Sequence, residues 1–209
     1  MSNFTLTDVE KIISVMTDVI LKNEVPFCEL DSAAGDGDFG MSLAKGFREL
    51  KKEWANLERG DIGAFIKSCG GVIAEHCGGA SGPIWGGGFK AAGRYAAEKT
   101  SLSLSELAET LGAAADGIMK RGGAKPGDKT LLDALVPAVD ALKASAAAGD
   151  DVKTFLKKGA DAAAAGGEAT KNMVASRGRA SYVGERSISY PDAGAAALGI
   201  IFTEIANAF

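Results

Sequence analysis

The chain has 209 residues, of which 46% are hydrophobic and only 7% aromatic, and it contains 28 glycines. This length suits one domain with a single core, and the scarcity of aromatic residues favours closely packed helices over a β-sandwich. The formal net charge of -4 argues against nucleic-acid binding, which needs a basic surface to neutralise phosphates.

Helical periodicity runs through nearly the whole chain. Thr7 and Glu10 have the spacing of a capping box, and a first helix is predicted from there to about Lys22, where Pro26 is expected to prevent its continuation. The segment 25–30 is the only one that resembles a strand, and a single short strand cannot form a sheet. Seven further helices are predicted at 41–53, 62–77, 84–99, 103–120, 131–147, 151–173 and 192–208. We therefore expect an all-α fold of eight helices in one domain spanning residues 1–209.

The junctions between the predicted helices are of two chemical kinds. Three are ordinary polar turns, whereas four are rich in Gly, Asp, Ser or Arg; these four occupy 31–40, 78–83, 121–130 and 176–192. Each of the four connects an odd-numbered helix to the even-numbered helix that follows it. In an up-and-down bundle or barrel, all such junctions lie at the same end. The pattern predicts that the four loops converge on one rim.

The first of these loops carries Asp31, Asp36 and Asp38 among glycines that allow the backbone to fold sharply. Two carboxylates about 4 Å apart repel each other by roughly 4 kcal/mol at an effective dielectric constant near 20, so a cluster of three requires a cation. Hard carboxylate oxygens favour Mg²⁺ or Ca²⁺, and Mg²⁺ is the ion more often shared with substrate phosphates. The alternative is that these aspartates only cap a helix and complete a turn.

The other three loops offer groups that suit phosphate binding. Ser81 and the glycines of 78–83 precede a helix N-terminus, which is typical of a phosphate cradle but equally of a tight interhelical turn. The 121–130 loop adds cations and, in Asp128, a second carboxylate of the metal-binding type, although a solvated charged loop in which Thr130 or Asp128 caps the next helix is the alternative. The 176–192 loop is long enough to act as a lid. It carries three arginines that suit bidentate binding of phosphate: Arg177, Arg179 and Arg186.

The histidine and cysteine content limits the chemistry. His76 is the only histidine and lies on a predicted helix beside Cys77, which disfavours both a zinc site and a histidine acid–base mechanism. Catalysis is expected to come from metal and positioning. The three cysteines, Cys28, Cys69 and Cys77, form no disulfide framework and no CxxC pair, which predicts reduced thiols. With no secretory leader and no apolar run of membrane-span length, a cytoplasmic protein is expected.

Together, these motifs resemble those of the L subunit of bacterial dihydroxyacetone kinases. The resemblance covers essentially the whole chain, and the motifs that carry it lie in family order at 31–40, 79–83, 121–122, 126–130 and 179–187. It implies an eight-helix up-and-down barrel that binds ADP or ATP at one rim. It also implies a phosphotransferase subunit whose partner, a separate K subunit, holds a short ketose covalently on a histidine.

The resemblance further implies roles for individual positions. Asp31, Asp36 and Asp38 would hold two Mg²⁺ ions, and Arg179 is the candidate for stabilising phosphate charge. Ala80 and Ser81 would meet phosphate, Gly122 and Leu131 would line the base site, and the segment that begins at Asp192 would close over the nucleotide. The full set expected at the nucleotide is Phe39, Gly40, Met41, Ser42, Ala80, Ser81, Gly122, Leu131, Arg179, Asp192, Ala193 and Gly194.

One position departs from the family pattern. Members of this family usually carry the motif Gly-Asp-Gly-Asp-His-Gly, whereas Phe39 stands at the position of that histidine. An imidazole contact to the nucleotide is thereby replaced by an apolar ring. The metal carboxylates are intact.

Two donor modes are implied by the resemblance. In one, a tightly bound ADP is rephosphorylated by a phosphohistidine protein of the phosphotransferase system, and in the other ATP is consumed and exchanged. The sequence fits both, and it leaves open the acceptor ketose and whether the chain forms a homodimer. Two alternatives come from other classes: a non-catalytic partner that regulates another protein, which the intact aspartates disfavour, and a helical protein stabilised by calcium.

Overall fold

The computed structural model describes residues 3–209, and this part of the chain is almost entirely helical. Its nine α-helices are α1 (Leu6–Lys22), α2 (Glu24–Ser32), α3 (Phe39–Lys52), α4 (Ile62–His76), α5 (Ser81–Tyr95), α6 (Leu104–Gly122), α7 (Leu132–Ala148), α8 (Val152–Ala169) and α9 (Ala193–Asn207). Two strands of two residues each, β1 (Phe4–Thr5) and β2 (Ser101–Leu102), pair antiparallel. Short 3₁₀ turns occupy Trp54–Asn56, Thr170–Asn172 and Arg179–Ser187. The all-α prediction is confirmed.

The N-terminal region differs from the prediction in its capping residues. The capping box of α1 is formed by Thr5 and Asp8, two residues before the predicted pair of Thr7 and Glu10. The Asp8 carboxylate accepts a hydrogen bond from the Thr5 N–H at 2.8 Å, and the Thr5 hydroxyl accepts one from the Asp8 N–H. Both pairs satisfy the motif in sequence, and the start of the helix at Leu6 decides which pair forms it.

The segment 25–30 is helical, so its interpretation as strand-like was wrong. It forms most of α2, which begins immediately after the C-cap of α1 at Asn23. Pro26 lies in the first turn of α2, where its missing N–H removes no helical hydrogen bond. The proline therefore permits a second helix directly after the first, and the described residues form nine α-helices instead of eight.

The helices form a closed ring, and eight of them correspond to the eight predicted ones. Each helix from α3 to α8 packs against its successor in the chain, and α1 lies between α9 and α3. The additional helix α2 packs on α3 and α9. The up-and-down ring expected from the junction pattern is thus retained, with α2 added at one end.

Small residues allow close approach between neighbouring helices. On α4 and α5, a Cβ atom added at Gly63 would meet the backbone of Gly93 and Ala97, and one added at Gly86 would meet Ala74. Inside the ring, side chains of α1, α4, α5, α6, α7 and α9 surround an apolar cavity of about 130 Å³. None of the described helices has the length and apolar character needed to cross a bilayer.

The three cysteines are free thiols. Cys69 and Cys77 are buried, and this burial raises the pKa of the Cys69 thiol to about 12 and that of Cys77 to about 11. Cys28 is half-buried, and its Sγ accepts a hydrogen bond from the Met41 N–H at 3.3 Å. The two buried thiols behave as small core residues, as the sequence indicated.

Candidate functional site

The four loops singled out in the sequence meet at one end of the ring. Three polar contacts join them: the Arg179 Nε lies 2.7 Å from the Asp36 carboxylate, the Gly78 N–H donates to the Ser42 carbonyl at 3.1 Å, and the Ser176 N–H donates to the Asp128 carbonyl at 3.2 Å. The fourth loop therefore contacts both the first and the third, and the second loop contacts the first turn of α3. The predicted convergence on one rim is confirmed.

Each rim loop leads directly into a helix, so four helix N-termini point toward the same region. They belong to α3, α5, α7 and α9. The N-cap residues of α3, α5 and α7 make no side-chain hydrogen bond to the first turn, although the Met41 N–H of α3 donates to the Cys28 Sγ and the Leu132 N–H of α7 donates to the Thr130 hydroxyl. Because the N-terminus of a helix carries partial positive charge, this arrangement favours anions.

The first loop brings its three aspartates together. Asp31, Asp36 and Asp38 each place a carboxylate oxygen within 4.8 Å of the others. The Asp31 carboxylate accepts hydrogen bonds from the N–H groups of Gly37 at 2.9 Å and Asp38 at 3.2 Å, so the loop folds over it. Burial raises the pKa of Asp31 and the nearby Asp36 charge adds to this, while the backbone N–H groups oppose it. These oxygens are the ligand type that Mg²⁺ and Ca²⁺ prefer.

Glycines allow this loop its shape at two positions. Gly37 has a φ of +75°, a region that L side chains rarely adopt. At Gly35, an added Cβ atom would collide with the carboxylate of Asp31. The alternation of Asp and Gly is therefore required by the fold of the loop.

Phe39, which stands at the family's histidine position, faces the core. Its ring packs against that of Phe27 in α2, with 6.2 Å between the ring centroids. Two residues on, Met41 is 56% exposed at the rim. The first turn of α3 therefore places an apolar ring where the family pattern has a polar one. The contact of this ring with Phe27 depends on the presence of α2.

Asp128 in the third loop lies outside the cluster formed by Asp31, Asp36 and Asp38. Its carboxylate accepts hydrogen bonds from the Lys125 N–H at 3.0 Å and the Ser176 hydroxyl at 2.9 Å, and the Arg177 Nε lies 3.5 Å away. The Lys125 N–H makes the largest contribution to lowering the pKa of Asp128. Asp128 therefore orders the third loop without capping α7, whose Leu132 N–H donates instead to the Thr130 hydroxyl at 3.3 Å, and Arg177 is engaged with Asp128.

Two further residues, Asp133 and Lys129, organise the third loop. The Asp133 carboxylate accepts hydrogen bonds from the N–H groups of Gly127 at 2.5 Å and Thr130 at 2.8 Å. Lys129 is only 2% exposed. Burial lowers the pKa of Lys129, and the charge of Asp192 opposes that shift. Lys129 lies within the 126–130 motif and Asp133 lies three residues beyond it, but nothing in the sequence signalled the burial of Lys129, because burial depends on distant segments.

The N-terminus of α9 closes the ring of loops. The Asp192 carboxylate caps this helix by accepting a hydrogen bond from the Ala195 N–H at 2.8 Å. Burial raises the pKa of Asp192 to about 6, with the negative charges of Asp133 and Asp31 acting in the same direction. The neighbouring Gly194 lies against Leu131, since an added Cβ atom would be 3.2 Å from the Leu131 Cβ.

The structure places every position expected at the nucleotide in one of the four loops or in an adjoining helix turn. Those in the first turns of helices are Phe39, Gly40, Met41, Ser42, Ser81, Ala193 and Gly194, and those at helix caps or ends are Ala80, Gly122, Leu131 and Asp192. Arg179 lies in the fourth loop, with its side chain 66% exposed.

Comparison with known proteins gives a consistent result. A family model described as the DAK2 domain matches residues 33–207. The chain is 36% identical over 179 residues to the Escherichia coli K12 protein named PEP-dependent dihydroxyacetone kinase, ADP-binding subunit DhaL, covering 86% of this chain and 85% of that protein. It is 37% identical over 180 residues to the human triokinase/FMN cyclase, covering 84% of this chain but 30% of that protein.

Solved structures add a match over nearly the whole chain. The crystal structure of the C. freundii dihydroxyacetone kinase in complex with AMP-PNP and Mg²⁺ has a TM-score of 0.75 and 26% sequence identity, covering 95% of this chain and 33% of that one. The family model and the E. coli relative each span most of the chain. This chain belongs to the DAK2 domain family.

Proposed function

We propose that this chain is the nucleotide-binding subunit of a dihydroxyacetone-type kinase. It binds an adenine nucleotide with Mg²⁺ at the rim and passes the phosphoryl group to a short ketose held by a separate K subunit. The observation that carries the proposal is the juxtaposition of a three-carboxylate cluster with four helix N-termini. Mg²⁺ held by these carboxylates would neutralise phosphate charge beside the helix N-termini, which themselves favour anions.

The proposed site uses Asp31, Asp36 and Asp38 to hold two Mg²⁺ ions. Bound there, the ions supply charge neutralisation and orientation for the transferring phosphoryl group. The uncapped N-terminus of α5 supplies the backbone N–H groups of Ala80 and Gly82 for phosphate oxygens, beside Ser81, whose own N–H already donates to the Gly78 carbonyl at 3.1 Å. These donors are fixed before the nucleotide arrives, so they cost no reorganisation in the transition state.

Arg179 is the proposed stabiliser of phosphate charge. Its Nε lies 2.7 Å from the Asp36 carboxylate, so it neutralises part of the acidic cluster. Mg²⁺ held by the aspartates would supply that neutralisation, and the guanidinium would then be free to bind phosphate, for which its planar donor fork is suited. Gly122 and Leu131 are the residues proposed to line the pocket for the base.

The proposed donor mode is a retained ADP that a phosphohistidine protein rephosphorylates. Support comes from three bacterial relatives at 32–36% identity whose names describe a PEP-dependent or PTS-dependent dihydroxyacetone kinase and its ADP-binding subunit. The chain, residues 1–209, acts in this proposal as one nucleotide-binding domain. Two of its partners are therefore proteins, the K subunit and the phosphoryl donor.

Calorimetric titration with ADP tests the site. Wild-type chain is expected to bind ADP only with Mg²⁺ present, and an Asp36→Ala, Asp38→Ala variant is expected to lose this binding. Asp116→Asn serves as the matched control, because Asp116 is an exposed acidic residue on α6, away from the rim loops. Equal affinities of the wild type and the double variant would reject the metal assignment.

Native mass spectrometry and reconstitution test the rest of the proposal. Retained ADP with two Mg²⁺ ions supports the coenzyme mode, whereas an empty chain that turns over with ATP supports the exchange mode. In a mixture with a K subunit, dihydroxyacetone and a phosphoryl donor, turnover is expected. A stable complex without turnover would instead identify a regulator, and strong stabilisation by Ca²⁺ without nucleotide would identify a calcium-stabilised protein.

A further inference from the structure

Lys129 is buried in a way that is unusual for a loop lysine. It is one of the largest fully buried side chains of the described chain, whereas lysines are almost never fully buried unless they are paired. Its backbone has a φ of +59°, a conformation that residues other than glycine rarely adopt. This conformation turns the side chain away from the rim loop that contains it and under the fourth loop.

The ammonium group of Lys129 binds three backbone carbonyls and no carboxylate of the described residues. The acceptors are Met173 at 3.1 Å, Ser187 at 2.6 Å and Tyr190 at 2.8 Å. Three donors thus meet three acceptors, which is the full capacity of an ammonium group. Because hydrogen bonds from a charged donor are about twice as strong as neutral ones, this cage is a substantial local anchor.

The three carbonyls lie near the two ends of the fourth loop. Met173 precedes this loop by three residues, whereas Ser187 and Tyr190 lie near its C-terminal end, so a single side chain joins the two flanks of the loop. The Ser187 hydroxyl reinforces the closure, since it accepts a hydrogen bond from the Ala175 N–H at 3.0 Å and donates one to the Gly184 carbonyl at 2.7 Å. Between the anchored ends, the loop itself is largely exposed.

Arg179 is on this loop and depends on it for its position. Its side chain is 66% exposed, and its recorded partner is the Asp36 carboxylate on the first loop. Only the path of the backbone from Met173 to Ser187 therefore brings the guanidinium to the acidic cluster. A loop whose ends were released would sample many conformations, and few of them would keep Arg179 in place.

We propose that Lys129 is a positioning residue for the nucleotide site: its buried ammonium closes the loop from Met173 to Tyr190 and thereby holds Arg179 over the aspartate cluster. This inference rests on the proposed function, in which Arg179 binds phosphate. Lys129 itself does not contact the nucleotide in this arrangement. Its effect on binding passes entirely through Arg179.

The first test is loop order in the nucleotide-free chain. Lys129→Met keeps the apolar stem and removes the three hydrogen bonds, and Lys125→Met is the matched control because Lys125 is exposed on the same loop. Tryptic cleavage after Arg177, Arg179 and Arg186 is expected to accelerate about tenfold or more in Lys129→Met and to stay at the wild-type rate in the control, since local opening governs cleavage. Unchanged cleavage in a folded Lys129→Met chain overturns the inference.

The second test is a double-mutant cycle on ADP affinity with Mg²⁺, using Lys129→Met and Arg179→Ala. Each single variant is expected to bind several-fold to tenfold more weakly than the wild type, and the double variant no more weakly than Arg179→Ala alone. Losses that multiply would show that the lysine acts independently of Arg179. Lys129→Arg keeps a charged donor, so it is expected to recover part of the ADP affinity that Lys129→Met loses. A role of Lys129 limited to global stability predicts no such recovery at a temperature where all variants are folded.

Failure of the proposed function and misfolding of Lys129→Met can each be distinguished from failure of the inference about Lys129. If wild-type chain does not bind ADP with Mg²⁺, the proposed function fails, while the cleavage experiment still decides whether Lys129 closes the loop. If Lys129→Met does not fold, Ser187→Ala weakens the same closure more mildly. It is expected to raise cleavage in the loop and lower ADP affinity in the same direction, and wild-type values for both would overturn the inference.

Discussion

Replacing Asp38 by Asn should reverse the stability order of two proteins when Mg²⁺ and ADP are added. Asn keeps the size of the side chain and removes its charge. Without a cation, the wild-type chain bears the repulsion among Asp31, Asp36 and Asp38, whose carboxylate oxygens lie within 4.8 Å of one another. The variant is relieved of the two pairs in which Asp38 takes part. It should therefore be the more stable protein in EDTA.

The magnitude follows from the geometry. Two unit charges 4.8 Å apart repel by roughly 3.5 kcal/mol at an effective dielectric constant of 20, and by roughly 0.9 kcal/mol in bulk water. The Asp36 side chain is 36% exposed and is paired with Arg179, so the lower figure applies more closely. Relief of both pairs is expected to raise the free energy of unfolding by about 1–2 kcal/mol in EDTA.

Mg²⁺ and ADP should act in the opposite direction. A ligand present at 100 times its dissociation constant stabilises the folded state by about 2.7 kcal/mol. The wild type is expected to gain this amount, and Asp38→Asn is expected to gain little because its metal site has lost one ligand. The wild type should then become the more stable protein.

Urea unfolding of both proteins in EDTA and in Mg²⁺ with ADP measures this reversal, with Asp116→Asn as the control. The control should follow the wild type in both conditions. If Asp38→Asn has wild-type stability in EDTA and an equal gain from Mg²⁺ and ADP, the aspartates do not form a cation site and the reasoning is refuted.

Asp192→Asn should be more stable than the wild type at pH 7 by up to about 3 kcal/mol and equal to it near pH 4, because a raised pKa means that the folded wild type loses stability as the pH rises. With the pKa of Asp192 near 6, urea unfolding between pH 4 and 7 without nucleotide should show this difference, and parallel pH profiles would contradict it. Gly40→Ala should cost roughly 1–3 kcal/mol by overpacking, since an added Cβ atom would meet the Glu24 carbonyl of α2. Gly71→Ala on α4, where an added Cβ atom meets nothing, is the matched control and should stabilise by about 0.5–1 kcal/mol in the same thermal unfolding assay. Ser103→Ala removes the capping box of α6 and should cost about 1 kcal/mol, a cost that Ser103→Asp should largely avoid.

Local sequence patterns predict much of the fold. Helical periodicity located the eight helices of the ring, because apolar spacing and helix packing follow the same period. The alternation of Asp and Gly in 31–40 indicated a cation site because few other arrangements tolerate three neighbouring carboxylates. The junction chemistry indicated a shared rim because alternating helix directions leave no other place for those loops.

Errors arose where one local pattern fitted two structures. The residues of α2 look strand-like in isolation, and Pro26 can end one helix or occupy the first turn of another. Packing of this segment against α3 and α9 selects the helical conformation. In the same way, two pairs of residues could cap α1, and only the position of its first turn selects Thr5 with Asp8.

The sequence by itself determined the helical class of this protein, the order of its loops and the cluster of three aspartates, because each depends on neighbours in the chain. Only the tertiary structure decided that Phe39 turns toward α2, that Asp128 orders a loop, and that Lys129 lies buried beneath the fourth loop. These outcomes depend on segments tens of residues apart. Their partners are brought together by burial of the core, and no local pattern encodes that juxtaposition.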